Sequence, residues 1–157
     1  MPRKLKVQKR QISPDIVYGS VEIAKLVNKL MKDGKKNLAY NIVYSAFEIV
    51  KQKTGKDPFE VFKKALENAS PEWEIRSRRV GGATYQIPIE CLPERKLHLG
   101  LKFLVDAVRE RSDKRGIVNK LAYEIMEAAE GKGVAVKKKE ELHKLAEINK
   151  TFAHYKW

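Results

Sequence analysis

Arg76, Arg78 and Arg79 lie within four positions of one another, in a stretch from Trp73 to Glu90 that reads WEIRSRRVGGATYQIPIE. Guanidinium groups at that density offer charge and bidentate hydrogen bonds to phosphate oxygens. No acid stands between Ile75 and Ile89 to compete for them. Gly81-Gly82 can take the positive φ of a tight hairpin turn, and strand-forming residues flank it on both sides. Pairing outward from that turn sets Arg79 opposite Thr84, Arg78 opposite Tyr85 and Arg76 opposite Ile87. Opposed residues share a face, so one face carries Arg76, Arg78, Tyr85, Ile87 and Ile89. The other carries Trp73, Ile75, Ser77, Arg79, Thr84 and Gln86. Apolar residues gather at the root and cationic ones toward the tip, which predicts a root packed on helices and a projecting tip. Pro88 argues against further sheet on its side. For the ribbon by itself, the plain alternative is a solvated hairpin whose arginines serve solubility.

Other basic clusters point the same way. Arg3, Lys4, Lys6, Lys9 and Arg10 precede any acid in the chain. Lys32-Asp33-Gly34-Lys35-Lys36 places lysines at a helix start, where backbone N–H groups also attract phosphate, although a polar interhelical turn would read alike. Lys137-Lys138-Lys139 opens a helix against its dipole, partly offset by Glu140 and Glu141. Near the C-terminus Phe152, His154, Tyr155 and Trp157 interleave with Lys150 and Lys156. Those aromatics could stack on bases or on a neighbouring protein, or dock the last helix on the core.

Catalytic chemistry has little support. His98, His143 and His154 are scattered outside any metal-ligand spacing, and Gly81-Gly82 lacks the Lys-Ser/Thr of a phosphate-binding loop. Cys91, between Glu90 and Leu92, reads as a packed thiol. No cofactor, metal or small-molecule substrate is expected.

The composition agrees. The chain has 157 residues with 33 Lys+Arg against 20 Asp+Glu, a net charge of +13, which favours a polyanionic partner. The excess is regional: residues 1–14 carry +5, whereas residues 40–70 carry +1. One cysteine excludes an internal disulfide and suits a reducing compartment. With no signal-like apolar core and no membrane-length apolar run, the expectation is a soluble intracellular protein.

These groups need a scaffold, and the periodicity is helical. Ser20 caps a helix carrying Ile23, Val27, Leu30 and Met31, ended by Gly34. A second runs from Lys35 to Thr54, with Gly55 as its stop. Asp57-Pro58-Phe59-Glu60 starts a third, burying Phe59, Phe62, Ala65 and Leu66. Pro93-Glu94 opens a fourth helix, and 109–115 is a charged connection. A fifth uses Leu121, Ile125, Met126 and Ala129; a sixth uses Leu142, Leu145, Ile148 and Phe152. The expected fold is mainly α: a compact six-helix single domain over 1–157, with a protruding hairpin at 73–90 and a flexible basic arm at 1–14. Arm plus ribbon suits shaped RNA better than a regular DNA groove.

KLMKDGKK (29–36), TGKDPFEVF (54–62), RSRRVGGATYQIP (76–88), AVKKKE (135–140) and FAHYKW (152–157) closely resemble the bacterial type of small-subunit ribosomal protein seven. The likeness spans the chain. It implies a helical fold with a protruding hairpin, direct binding to the 3′ major domain of small-subunit rRNA, and nucleation of head assembly. It places the hairpin near exit-site tRNA and mRNA at the subunit interface, ribosomal proteins nine and eleven as neighbours, and a cytoplasmic location. The candidate rRNA contacts are Arg3, Lys4, Lys6, Lys9, Arg10, Lys29, Lys32, Lys35, Lys36, Arg95, Lys96, Lys137 and Lys138. Arg76, Arg78, Arg79, Gly81, Gly82 and Tyr85 are the candidates facing tRNA and mRNA. Lys102-Phe103, Arg115-Gly116 and Lys156 depart from the family's usual residues, so no contact is carried to them. The alternative function is a DNA- or mRNA-binding regulator, including a translational repressor of its own operon.

Overall fold

The computed structural model describes residues 11–155. Arg3, Lys4, Lys6, Lys9 and Arg10 of the expected arm lie outside the described residues, as do Lys156 and Trp157. Among the described residues six α-helices form: α1 (Val21–Leu30), α2 (Lys36–Thr54), α3 (Pro58–Ala69), α4 (Pro93–Glu110), α5 (Ile117–Ala129) and α6 (Val134–Ile148). Strands β1 (Trp73–Val80) and β2 (Ala83–Glu90) stand between α3 and α4, and a 3-10 helix (Lys150–Tyr155) follows α6.

Local chemistry sets most boundaries. The Ser20 hydroxyl accepts from Glu22 N at 3.2 Å and the Asp57 carboxylate from Phe59 N at 3.2 Å, each relieving an orphan N–H of a first turn. Pro58 and Pro93 occupy first-turn positions where their missing N–H costs nothing. Gly55 closes α2 in the left-handed conformation. Two boundaries differ from expectation, the first being that α4 runs to Glu110 and so takes in Arg109 and Glu110 of the expected 109–115 connection. Helix α1 stops at Leu30 rather than Gly34, because Met31 already leaves the helical region and Asp33 and Gly34 both take positive φ to make the turn.

Helix α5 is central, touching α2, α3, α4 and α6, while α1 packs on α2 and α4. Phe47 and Phe62 are fully buried at the heart of the core, their centroids 5.7 Å apart. The close crossing of α3 and α4 depends on Gly100. A Cβ there would lie 2.4 Å from Ser70 Oγ, 3.1 Å from Leu66 Cδ1 and 3.3 Å from Ser70 Cα. The hydroxyl cannot simply turn away, since it donates to the Leu66 carbonyl at 2.6 Å. Gly100→Ala is therefore expected to destabilise by about 1–3 kcal/mol through overpacking, against its gain in helix propensity. An unchanged midpoint in denaturant unfolding would show that the two helices part freely.

Three packing expectations need correction. Phe59 is only partly buried, and Val61 joins Phe62, Ala65 and Leu66 inside α3. In α5, Met126 and Ala129 are partly buried, whereas Glu124 is fully buried. In α6 the buried residues are Ala135, Val136 and Ala146, while Leu145 and Ile148 are 48% and 73% exposed. Ala146 borders a hollow at the hairpin root with Trp73, Pro88 and His143, so α6 meets the ribbon through Ala146 and His143 and leaves Leu145 and Ile148 outside. Phe152 lies beyond α6, in the 3-10 helix.

Candidate nucleic-acid interface

The hairpin pairs in the expected register, with Arg79 opposite Thr84, Arg78 opposite Tyr85 and Arg76 opposite Ile87. Gly81 and Gly82 adopt φ of 58° and 91°, as a two-residue turn matched to strand twist requires. The two faces have different fates. Ile87 is fully buried, and Tyr85 packs against Phe152 and Tyr155 with both centroid separations 5.2 Å. Arg78 donates to the Tyr155 carbonyl at 2.5 Å. At Arg78, Tyr85 and Ile87 this face is turned to the protein, where Phe152 and Tyr155 dock on the ribbon, while Arg76 on the same face stays exposed. Arg79, Thr84 and Gln86 of the opposite face are exposed, as are Gly81 and Gly82 at the tip.

At the root, β1 is tied to α4 through Glu74, which bonds both Arg76 and Arg95. Lys96 is half-buried and shares a hollow with Glu72, Glu90 and Cys91. Burial pushes the Cys91 thiol up, with Glu74 adding to the effect, so it is a poor nucleophile. His143 accepts from Glu72 N at 3.0 Å, and burial followed by Lys139 lowers its pKa.

A groove of about 680 Å³ runs between α1 and α4, lined among others by Gln11, Ile12, Lys25, Lys29 and His98. Lys29 Nζ lies 3.5 Å from His98 Nε2. Burial lowers the pKa of both, and Lys102 and Arg95 lower them further, with Asp106 opposing for Lys29. Asp106 is the acid that favours the charged form of Lys29, and Glu94 also lines the groove. Arg109 reaches the Lys29 carbonyl at 3.2 Å, setting the end of α4 beside the α1–α2 turn. On that turn Lys32, Lys35 and Lys36 are all exposed; the first turn of α2 holds no acid, and Lys36 Nζ is 5.6 Å from the Tyr40 ring centroid.

The lysine run sits elsewhere, at the start of α6. Lys137 is exposed, but Lys138 bonds Glu110 at 2.6 Å and Lys139 bonds the Asn68 carbonyl at 3.0 Å. Two of its three lysines therefore join α6 to α4 and α3, which offsets the charge at the helix start. Among the described residues no group of three or more His, Cys, Asp and Glu could hold a metal ion, and no helix is long and apolar enough to cross a membrane.

Three residues that the structure sets among these cations were not singled out from the sequence: Glu74, His98 and Lys102. Arg95, His98, Lys102 and Arg109 recur at near-helical spacing on α4, so periodicity could have found them. Nothing local marks Glu74, whose second partner is 21 residues away.

Comparison with known proteins gives a consistent family. A family model described as ribosomal protein S7p/S5e matches residues 2–150. The small ribosomal subunit protein uS7 of Caldicellulosiruptor saccharolyticus is 60% identical over 157 residues, covering 100% of both chains. That of Hydrogenobaculum sp. is 56% identical over 160 residues, and that of Thermus thermophilus 51% over 157, again with 100% of both chains covered.

Proposed function

The chain belongs to the ribosomal protein S7p/S5e family, structural constituents of the small ribosomal subunit rather than enzymes, and on that footing we propose that it binds ribosomal RNA directly. Its target is the folded 3′ major domain, where it nucleates head assembly in the cytoplasm. The observation that carries this reading is the cation-rich surface running from Arg95 at the hairpin root along α4, through Lys102 and Arg109, to Lys29 and the exposed Lys32, Lys35 and Lys36 of the α1–α2 turn. Affinity comes from phosphate neutralisation and selectivity from the fit of a rigid helical body to an RNA junction. The outward face and tip of the hairpin, with Arg79, Gly81 and Gly82, are assigned to exit-site tRNA and mRNA. Ribosomal proteins nine and eleven are the proposed protein neighbours.

Binding of the full chain to a 3′ major-domain RNA fragment and to duplex DNA at matched salt tests the reading. Clear preference for the RNA is expected; equal affinity would overturn it in favour of a nucleic-acid-binding regulator. Within that assay, Lys35→Ala should flatten the plot of log affinity against log salt by about 0.7–0.9, the signature of one lost phosphate contact. Parallel lines would remove Lys35 from the phosphate contacts.

A further inference from the structure

A surface that receives RNA has an unexpected carboxylate at its centre. Glu74 is 6% exposed. Its Oε1 accepts from Arg76 Nε at 2.9 Å and Nη2 at 2.5 Å, and its Oε2 accepts from Arg95 Nε at 2.8 Å. Burial alone would raise the pKa of this acid, but hydrogen bonds from Arg95 and Arg76 outweigh it and hold the carboxyl below its ordinary value. It is therefore ionised at neutral pH.

The partners come from two elements, Arg76 from β1 and Arg95 from α4. Their side chains remain 52% and 46% exposed, above a carboxylate that is itself 7% exposed. A free arginine carries rotamer entropy that a phosphate must remove on binding. Here the carboxylate removes much of it beforehand and fixes two guanidiniums on one short span. Its bond to Arg95 uses Nε, one of the five N–H donors of a guanidinium.

We infer that Glu74 is a positioning residue for RNA: its buried carboxylate holds Arg76 and Arg95 as one two-guanidinium clamp for a ribosomal RNA phosphate at the hairpin root. The inference rests on the rRNA-binding reading above. Its consequence runs against simple charge counting. Removing an acid raises the net charge by one and should tighten binding to any polyanion, yet loss of Glu74 weakens binding to the specific RNA.

The experiment measures the full chain against the 3′ major-domain fragment and, at the same salt, against poly(U). Glu74→Gln is expected to bind the fragment about tenfold more weakly, as loss of pre-set charge-assisted bonds implies, and poly(U) equally or more tightly. In a chain already carrying Arg76→Gln and Arg95→Gln, adding Glu74→Gln should cause no further loss. Undiminished fragment binding by Glu74→Gln, or an equal loss in both backgrounds, overturns the clamp. Nε–H signals of Arg76 and Arg95 in the wild-type protein test the same idea without a substitution. Ordered signals that both shift with the fragment support it, and motionally averaged ones overturn it. A wild-type chain that binds fragment and poly(U) alike overturns the rRNA-binding reading itself, an outcome distinct from failure of the clamp alone.

Discussion

Deleting residues 2–10 should weaken binding to the 3′ major-domain RNA about a thousandfold at about 50 mM salt, and only about fourfold at about 200 mM. The segment carries Arg3, Lys4, Lys6, Lys9 and Arg10 with no acid. If each neutralises one phosphate, the salt slope falls by about four in total. The two binding curves therefore converge as salt rises. Gln11 and Ile12, the first described residues, line the groove beside Lys29 and His98. Salt plots of equal slope for the two proteins would show that these five residues do not contact RNA.

Replacing Arg111 by alanine should destabilise the fold by about 3–5 kcal/mol, the cost of leaving a buried charge without its partner. Its side chain is 8% exposed and meets Glu124, fully buried, at 3.5 Å; it also pairs with Asp113 at 3.0 Å and with Glu127. Glu124 accepts from Ala135 N at 2.9 Å, so the pair ties the end of α4 to the start of α6 through α5. Burial raises the Glu124 pKa, against the Ala135 hydrogen bond and the Arg111 charge. A raised carboxyl contributes stability below its unfolded pKa and loses it as pH rises through the folded value. Without Arg111 that loss deepens, so the deficit against wild type should be largest near neutrality and shrink on acidification. Denaturant unfolding at several pH values checks this; a deficit independent of pH would mean that Glu124 is not the charge left stranded.

The elements were legible in the chain because their causes are local. Ser20, Asp57, Pro58 and Gly55 act on backbone groups within a few residues of themselves. The hairpin register followed from one Gly-Gly turn, since side-chain alternation in strands leaves no freedom once the turn is placed. Expectations failed where burial depends on a distant partner. The 109–115 connection looks like solvated charge, yet Arg111 turns inward because Glu124 waits beneath it. The apolar residues of α6 look like a core stripe, yet Ala146 is buried while Leu145 and Ile148 face outward, because which side of α6 is covered depends on the distant elements packed against it.

By itself the sequence determined the helical class, the cationic ribbon, the regional charge excess and the absence of familiar catalytic motifs. These depend on residue type and short spacing, and they sufficed to point toward RNA. Only the tertiary structure decided which cations share a surface. Arg76 and Arg95 meet through Glu74, Lys29 meets His98 across α1 and α4, and Lys138 is drawn to Glu110. The reason is physical: charge composition sums over the chain whatever its shape, whereas a phosphate site is a matter of distances of a few ångströms between residues far apart in sequence.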